Sequence, residues 1–174
     1  DRPFTIVYLG NVYWAQIQTL RNLLKALSLL PEERILLKMY TSHSKSHLNS
    51  QGVHESDRIE FTTCLPEEVP DVLSEADVAF VGLSFDTDYP ILINTSSPGR
   101  LCDFLRSNAP ILVHAPPESF LTTYAKKHNF AYIVDENSPE KLAEKIKESI
   151  HNNTESEEMV RRAQHIGIEN HSAK

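Results

Sequence analysis

The residues best suited to chemistry lie between Asn94 and Pro110, where hydroxyl groups, a glycine and a positive charge come together. They are Ser96, Ser97, Pro98, Gly99 and Arg100. Serine and proline are typical of the start of a helix, and glycine lets a ligand approach the backbone. The start of a helix offers free N–H groups and the positive end of its dipole, and Arg100 adds a forked cation. This combination favours binding of a phosphate.

Asp103 falls about one helical turn beyond Arg100, so both side chains would share a face of the predicted helix. A carboxylate in that place would accept hydrogen bonds from the hydroxyl groups of a sugar. The alternative is an ordinary capped helix with no ligand, in which Leu101 and Phe104 anchor the helix on a sheet. The local pattern favours neither interpretation over the other.

The elements around this stretch alternate between short apolar runs and helical patterns. Strands are predicted at residues 4–9, 35–40, 58–62, 77–83, 110–114 and 131–134. Helices are predicted at residues 17–30, 46–50, 67–76, from Ser96 onwards, 118–128, 138–151 and 154–170, and the segment 84–95 is predicted to be a loop. Alternation of this kind indicates an α/β fold with an open, roughly six-stranded parallel sheet and helices on both faces.

The carboxyl ends of parallel strands meet at one edge of a sheet, and ligands bind there. This rule brings together segments that are distant in the sequence, namely 10–11, 62–65, 83–95 and 114–115. Gly10, Asn11 and His114 are therefore expected at the rim of one crevice, with the turn from Ser96 to Arg100 beneath it. For His114, which ends a core strand, a structural role is the alternative to ligand contact.

The composition limits the class of protein. The 174 residues suffice for one domain, in which the segment 154–174 has a weak apolar face and would pack on a missing partner. A formal net charge of -7 argues against nucleic acid as a partner. Cys64 and Cys102 match no zinc or redox spacing, and no metal site is expected. No apolar run approaches a membrane span of about 20 residues, so a cytoplasmic protein is expected.

Several stretches carry a resemblance to a known family. They are Tyr8-Leu-Gly-Asn11, Ile59-Glu-Phe61, Glu75-Ala-Asp-Val-Ala-Phe-Val81, Ser138-Pro-Glu-Lys-Leu-Ala143 and, most specifically, the run from Ser96 to Val113. In this last run a Ser-x-Pro-x-Arg turn precedes Asp103, which stands seven positions before Pro110. In this order they resemble the C-terminal, donor-binding domain of GT-B glycosyltransferases of the retaining family 4. The resemblance covers nearly the whole chain and implies the Rossmann-like half of a two-domain enzyme.

The resemblance implies a site for a nucleoside diphosphate sugar. Asp103 stands where a Glu normally holds the ribose hydroxyl groups, and the backbone around Ser97–Arg100 would hold the diphosphate. Cys64 and Leu65 would lie where the family reads the nucleobase with backbone groups. The implied donor-binding residues are Gly10, Asn11, Cys64, Leu65, Thr95, Ser96, Ser97, Gly99, Asp103 and His114, with Arg100 stabilising the diphosphate in catalysis. The family needs no metal in this fold, so no cofactor is expected.

The sequence departs from the family pattern at two features. Thr95 occupies the place of the first Glu of the signature, which usually contacts the donor sugar. The Arg and Lys that usually neutralise the leaving diphosphate fall near Asn11 and Gln16, which carry no charge. Arg100 could compensate, because the charge that develops on a leaving diphosphate needs preorganised cations or dipoles.

Two functions follow from these observations. The first is binding of a donor, with a UDP-sugar favoured, for glycosyl transfer in polysaccharide or glycoconjugate biosynthesis. An N-terminal acceptor domain would then be missing, the isolated domain would be inactive, and any membrane association would be peripheral, through that missing domain. The alternative is a noncatalytic module with the same fold and a protein-interaction role, which the absence of charge at Asn11 and Gln16 favours.

Overall fold

Residues 1–171 are described in a computed structural model, in which the backbone forms one six-stranded sheet. The strands are β1 (Phe4–Leu9), β2 (Ile35–Tyr40), β3 (Ile59–Thr62), β4 (Val78–Gly82), β5 (Ile111–His114) and β6 (Ala131–Val134). All neighbouring strands are parallel, and their order is β3-β2-β1-β4-β5-β6. Because the order reverses between β1 and β4, a crevice for ligands is expected at the carboxyl ends of these two strands.

The helices alternate with the strands along the chain. They are α1 (Ile17–Ser28), α2 (Lys45–Ser50), α3 (Val69–Ser74) after a 3₁₀ turn at Pro66–Glu68, α4 (Pro90–Thr95), α5 (Leu101–Arg106), α6 (Phe120–His128), α7 (Pro139–His151) and α8 (Asn153–His171). Ser138 accepts a hydrogen bond from the N–H of Lys141 and is followed by Pro139, so α7 begins where the sequence predicts. Ser119 caps α6 in the same way.

The sheet is buried on both faces. Along the central strands successive side chains enter two different apolar cores, as Phe80 and Val81 of β4 do. One core is closed mainly by α1 and α7, and the other mainly by α3, α5, α6 and α8. The predicted open parallel sheet with helices on both faces is therefore confirmed.

The segment after β4 differs from the predicted loop over residues 84–95. Its second half forms α4, which begins with Pro90 and buries Ile93 in the core. Proline suits a first helical position because the N–H groups there lack helical partners anyway. The helix has six residues, which is too short to display a helical period in the sequence.

The next helix begins later than predicted. α5 starts at Leu101, and Arg100, its N-cap residue, makes no capping hydrogen bond with its side chain. Ser96 donates its hydroxyl to a carbonyl of α4, so it closes the preceding helix. The prediction that Ser96 and Ser97 cap a helix with Pro98 at its first position was wrong, because two short helices meet here and the serine serves the first.

The helix α8 packs on the same domain, which corrects the expectation that it needs a missing partner. Met159 and Ala163 are buried, and Gln164 donates to a backbone carbonyl of the turn after α5 at 3.1 Å. The apolar pattern is weak because one of the contacting side chains, Ala163, is small and another, Gln164, is polar. Residues 172–174 of the predicted segment 154–174 lie outside the described residues. The idea that this segment crosses toward an N-terminal domain stays a prediction.

Candidate functional site

A cavity of about 210 Å³ opens at the carboxyl ends of β1, β2 and β3. It is lined by Leu9, Gly10, Asn11, Tyr40, Thr41, Ser42, Thr63, Cys64 and Arg100. Predicted site residues from distant segments therefore meet in one place, namely Gly10, Asn11, Cys64 and Arg100. Among the described residues of the lining, Arg100 carries the single positive charge. This cavity is the candidate site for a nucleotide.

Gly10 brings the backbone itself to the cavity wall. Its φ angle is 118°, a conformation that favours glycine, and its N–H donates to the carbonyl of Tyr40 at 2.9 Å. Apart from Gly10 and its two neighbours in the chain, no described residue has an atom within 4 Å of the place where a β-carbon would stand. The space beside this backbone is therefore open to a ligand.

Asn11 is fixed by the two loops that it joins. Its Oδ1 accepts hydrogen bonds from the hydroxyl of Thr41 at 3.0 Å and from the backbone N–H and hydroxyl of Ser42 at 3.0 and 2.8 Å. Its Nδ2 donates to the hydroxyl of Tyr13 at 3.3 Å. The side chain therefore shapes the wall of the cavity and supplies no charge for a diphosphate.

Arg100 and Asp103 lie on one face, as predicted, and form a loose ion pair. The distance between Nη1 of Arg100 and Oδ2 of Asp103 is 3.5 Å, and the side chains are 43% and 45% exposed. A pair this exposed contributes little to stability, so both groups can rearrange onto a ligand at small cost. The guanidinium of Arg100 is placed to bind a diphosphate in the cavity. The carboxylate of Asp103 beside it can accept hydrogen bonds from hydroxyl groups.

Cys64 contributes a neutral thiol to the cavity wall. Burial raises the pKa of this thiol, Glu68 raises it further, and Arg100 acts in the opposite direction. Because a protonated thiol is a poor nucleophile, Cys64 offers a contact surface. Leu65 is exposed just outside the lining, and its N–H donates to the carboxylate of Glu68 at 2.6 Å.

The other predicted residues before Arg100 lie at the end of α4 and in the turn between α4 and α5. Thr95 donates its hydroxyl to a carbonyl of α4 at 2.8 Å, as Ser96 also does. Ser97 and Gly99 are exposed. The hydroxyl groups of Thr95 and Ser96 are therefore used inside α4, while the turn that follows leads the chain into Arg100.

His114 is fully buried at the end of β5. Its Nδ1 lies 2.9 Å from the carbonyl of Val134, and its Nε2 lies 3.0 Å from Nδ2 of Asn22. A carbonyl can only accept, so Nδ1 carries the proton and Nε2 accepts from the amide. Burial lowers the pKa of this imidazole, which keeps it neutral. Both ring nitrogens have protein partners, so this placement favours the structural role over ligand contact.

A chain of amide groups at the ends of β4 and β6 is not indicated by the sequence. Oε1 of Gln18 accepts from the N–H groups of Phe85 and Asp86 at 2.6 and 3.0 Å, and its Nε2 donates to Oδ2 of Asp86 at 3.1 Å. Asn137 donates to the same oxygen at 3.3 Å and accepts from Asn22 at 2.9 Å. The one signal for it in the sequence is an acidic residue soon after the most apolar strand.

Comparison with solved structures shows what this fold is similar to. A glycosyltransferase from Rickettsia africae superposes with a TM-score of 0.71 at 14% identity over 99% of this chain. HepE from Anabaena, in complex with UDP-glucose, superposes with a TM-score of 0.70 at 12% identity over 95% of this chain. The catalytic domain of cholesterol-α-glucosyltransferase from Helicobacter pylori gives 0.69 at 16% identity over 95%. The chain has the fold of a glycosyltransferase domain.

The matched proteins differ in how much of their length this chain covers. It spans 44% of the length of the Rickettsia and Anabaena chains and 98% of the Helicobacter catalytic domain. No protein-family model matches the sequence, and no curated protein matches it significantly. Within residues 1–171, no helix is long and apolar enough to cross a membrane, and no group of three or more His, Cys, Asp or Glu side chains could hold a metal ion.

Proposed function

We propose that the chain is the donor-binding domain of a glycosyltransferase that uses a nucleoside diphosphate sugar, with a UDP-sugar favoured. The observation that carries this proposal is the cavity where the open backbone of Gly10 and the guanidinium of Arg100 meet. These groups suit a diphosphate, because a guanidinium forms paired hydrogen bonds with its oxygens. The fold shared with HepE, whose structure contains UDP-glucose, supports a nucleotide sugar as the ligand.

In this proposal each part of the nucleotide sugar has its own place at the cavity. The nucleobase lies beside Cys64 and Leu65, the ribose lies near Asp103, and the diphosphate lies between Gly10 and Arg100. The neutral thiol of Cys64 suits an uncharged base. The enzyme is a member of the retaining family 4, as the sequence resemblance implies, and it needs no metal or other cofactor.

The proposed enzyme contains a second, N-terminal domain that binds the acceptor. Two of the matched glycosyltransferases are more than twice as long as the part that this chain covers, which supports a second domain. Since the acceptor contacts come from that domain, the isolated chain binds the donor without transferring sugar. We place the reaction in the cytoplasm, in polysaccharide or glycoconjugate biosynthesis, with peripheral membrane association through the acceptor domain.

A noncatalytic module with a protein partner is the second candidate. Asn11 and Gln16 stand near the places where the family has its cations, and both amides serve the fold. Gln16 accepts from the N–H of Tyr13 at 3.2 Å, and Asn11 joins two loops. Arg100 is left as the one cation of the described cavity lining, which is little for a leaving diphosphate.

Calorimetric titration of the chain with UDP, GDP and ADP tests the main proposal. We expect one of the three to bind well below millimolar concentration and the other two to bind more weakly. Failure of all three to bind at millimolar concentration would contradict it. Joining the chain to its acceptor domain separates the two candidates, because an enzyme then transfers sugar and a noncatalytic module retains a protein partner without transfer.

A further inference from the structure

A second cavity lies on the sheet, between α3 and one face of β2. The side chains of Leu36, Lys38 and Tyr40 lie on this face and are half-buried, whereas the alternate side chains of β2 are buried in the core on the other face. The difference comes from α3, which has six residues and buries Val69 and Leu73 in the core over the central strands. This face of β2 is therefore only half covered.

The cavity has the size of a site for a small molecule. Its volume is about 490 Å³, within the range usual for ligand pockets. Val7, Leu36 and Val72 give its lining apolar surface from two strands and a helix. Tyr40 closes the end toward the candidate nucleotide site, because it belongs to the linings of both cavities.

Three polar side chains of the lining already have partners inside the protein. Two nitrogens of Arg2 donate to the carboxylate of Asp77 at 2.6 and 2.9 Å. The hydroxyl of Thr5 donates to a carbonyl two residues earlier at 3.2 Å, and the hydroxyl of Ser74 donates to a carbonyl of α3 at 2.6 Å. These groups shape the wall of the cavity, and their donors are in use.

Lys38, Tyr40 and Glu75 line the same cavity without such partners. Within residues 1–171, none of the three side chains forms an ion pair or a hydrogen bond. Glu60 lies opposite Lys38 on β3, yet the two side chains do not pair. Burial raises the pKa of the Tyr40 hydroxyl and Glu75 raises it further, so this hydroxyl keeps its proton and can donate. A cation, a neutral donor and an anion are therefore all available at one cavity.

These three groups select a small zwitterion with an apolar body. A carboxylate suits the ammonium of Lys38 and the hydroxyl of Tyr40, and an ammonium suits the carboxylate of Glu75. A ligand with a single charge would leave one of the two protein charges unmatched. A ligand with several negative charges would be repelled by Glu75. The apolar part of the lining suits an aliphatic or aromatic side chain.

We propose that this cavity binds a free amino acid with an apolar side chain. Its carboxylate pairs with Lys38 and accepts from the hydroxyl of Tyr40, its ammonium pairs with Glu75, and its side chain packs between α3 and β2. The site is separate from the proposed nucleotide site, since Tyr40 is the one residue that the described linings of both cavities have in common.

Three matched ligands test the site. L-phenylalanine carries both charges, hydrocinnamate lacks the ammonium group, and phenethylamine lacks the carboxylate. NMR titration of the isotope-labelled 174-residue chain locates binding through shifts of the backbone amide signals. We expect phenylalanine to bind with millimolar affinity and to shift the amides of β2 and α3 that border the cavity. Each analogue should bind about ten-fold more weakly, because a charged hydrogen bond is lost.

Matched substitutions assign each charge to its residue. Lys38→Met keeps the length of the side chain and removes its charge, and Glu75→Gln does the same for the anion. Each should weaken phenylalanine about ten-fold. K38M should bind phenylalanine and phenethylamine equally, because the partner of the carboxylate is gone. Lys25→Met and Glu118→Gln change exposed residues outside the cavity and should leave the affinity unchanged.

Two results would overturn the proposal. One is the absence of localised amide shifts when the wild-type chain meets phenylalanine at millimolar concentration. The other is equal affinity for the three ligands, because the apolar lining alone would then account for binding. The amide spectra also show whether each variant keeps its fold. Should a variant unfold, the comparison of the three ligands on the wild type still decides.

Discussion

Gly82 lies so close to Thr19 that a β-carbon at position 82 would stand 2.3 Å from the Thr19 hydroxyl oxygen. Gly82 ends β4 and Thr19 lies in the first turn of α1, so this contact seats the start of the helix on the carboxyl end of the central strand. The hydroxyl of Thr19 is held by the carbonyl of Gln16 at 2.9 Å. The glycine thereby sets how closely α1 approaches the crevice.

Gly82→Ala should destabilise the fold by about 1–3 kcal/mol, because the new methyl group has no room and α1 must shift. Urea unfolding at equilibrium measures the loss. Gly99→Ala is the matched control, since a β-carbon there meets no described atom within 4 Å outside residues 98–100. Its unfolding midpoint should stay near that of the wild type. Equal unfolding midpoints for Gly82→Ala and Gly99→Ala would contradict this expectation, because they would show that Thr19 moves aside without cost.

Arg100→Ala and Asp103→Ala should separate the two halves of the nucleotide. Loss of the guanidinium should weaken UDP about ten-fold and leave uridine nearly unchanged, because a charged hydrogen bond to the diphosphate disappears. Loss of the carboxylate should weaken UDP and uridine by similar factors, because the ribose is common to both. Calorimetry with the two ligands provides the measurement. If Arg100→Ala weakened both ligands equally, Arg100 would have a structural role.

Mild acid should destabilise the fold through His114. Burial lowers the pKa of His114 from the ordinary 6.5 in the folded chain, so below that pH the unfolded chain binds more protons. The contribution is therefore complete above about pH 6.5 and declines as the pH falls toward the lowered value. The pKa of His43 is also lowered, by burial and then by His47, and its effect has the same sign.

Thermal unfolding between about pH 7 and pH 5 checks this expectation. His114→Gln should lower the midpoint at neutral pH, since the buried hydrogen bonds are lost, but the midpoint should then vary less with pH than in the wild type. His43→Ala serves as the control for the second imidazole. Parallel curves for the wild type and His114→Gln would refute the assignment to His114.

Much of the fold could be predicted because buried parallel strands appear as unbroken apolar runs. The bounds of β1, β2 and β6 agree with the prediction, and Ser138 marks the start of α7. The region between β4 and β5 could not be predicted in the same way. The helices α4 and α5 have six residues each, and their ends depend on contacts such as that of Ser96 with α4.

For the site, the sequence predicts which segments meet but not how their side chains are oriented. The rule for strand ends brings Gly10 and Cys64 to one cavity, as the structure has them. It says nothing about the direction of a side chain, and His114 turns into the core. The chain of amide groups that includes Asn22 and Asn137 has no sequence signature either, because amide pairs form wherever the fold brings two of them together.

The hydrogen bonds that Asn11 accepts make one route to a stronger diphosphate site costly. An arginine at position 11 would leave the hydroxyl of Thr41 and the N–H of Ser42 without their acceptor. Among the described residues, a lysine at position 16 would displace a single side-chain hydrogen bond, that from the N–H of Tyr13 to the amide of Gln16. A single substitution that adds a positive charge is therefore better tolerated at Gln16, whether it arises in evolution or by engineering. At Asn11 such a substitution would also require changes in the loop that Asn11 holds.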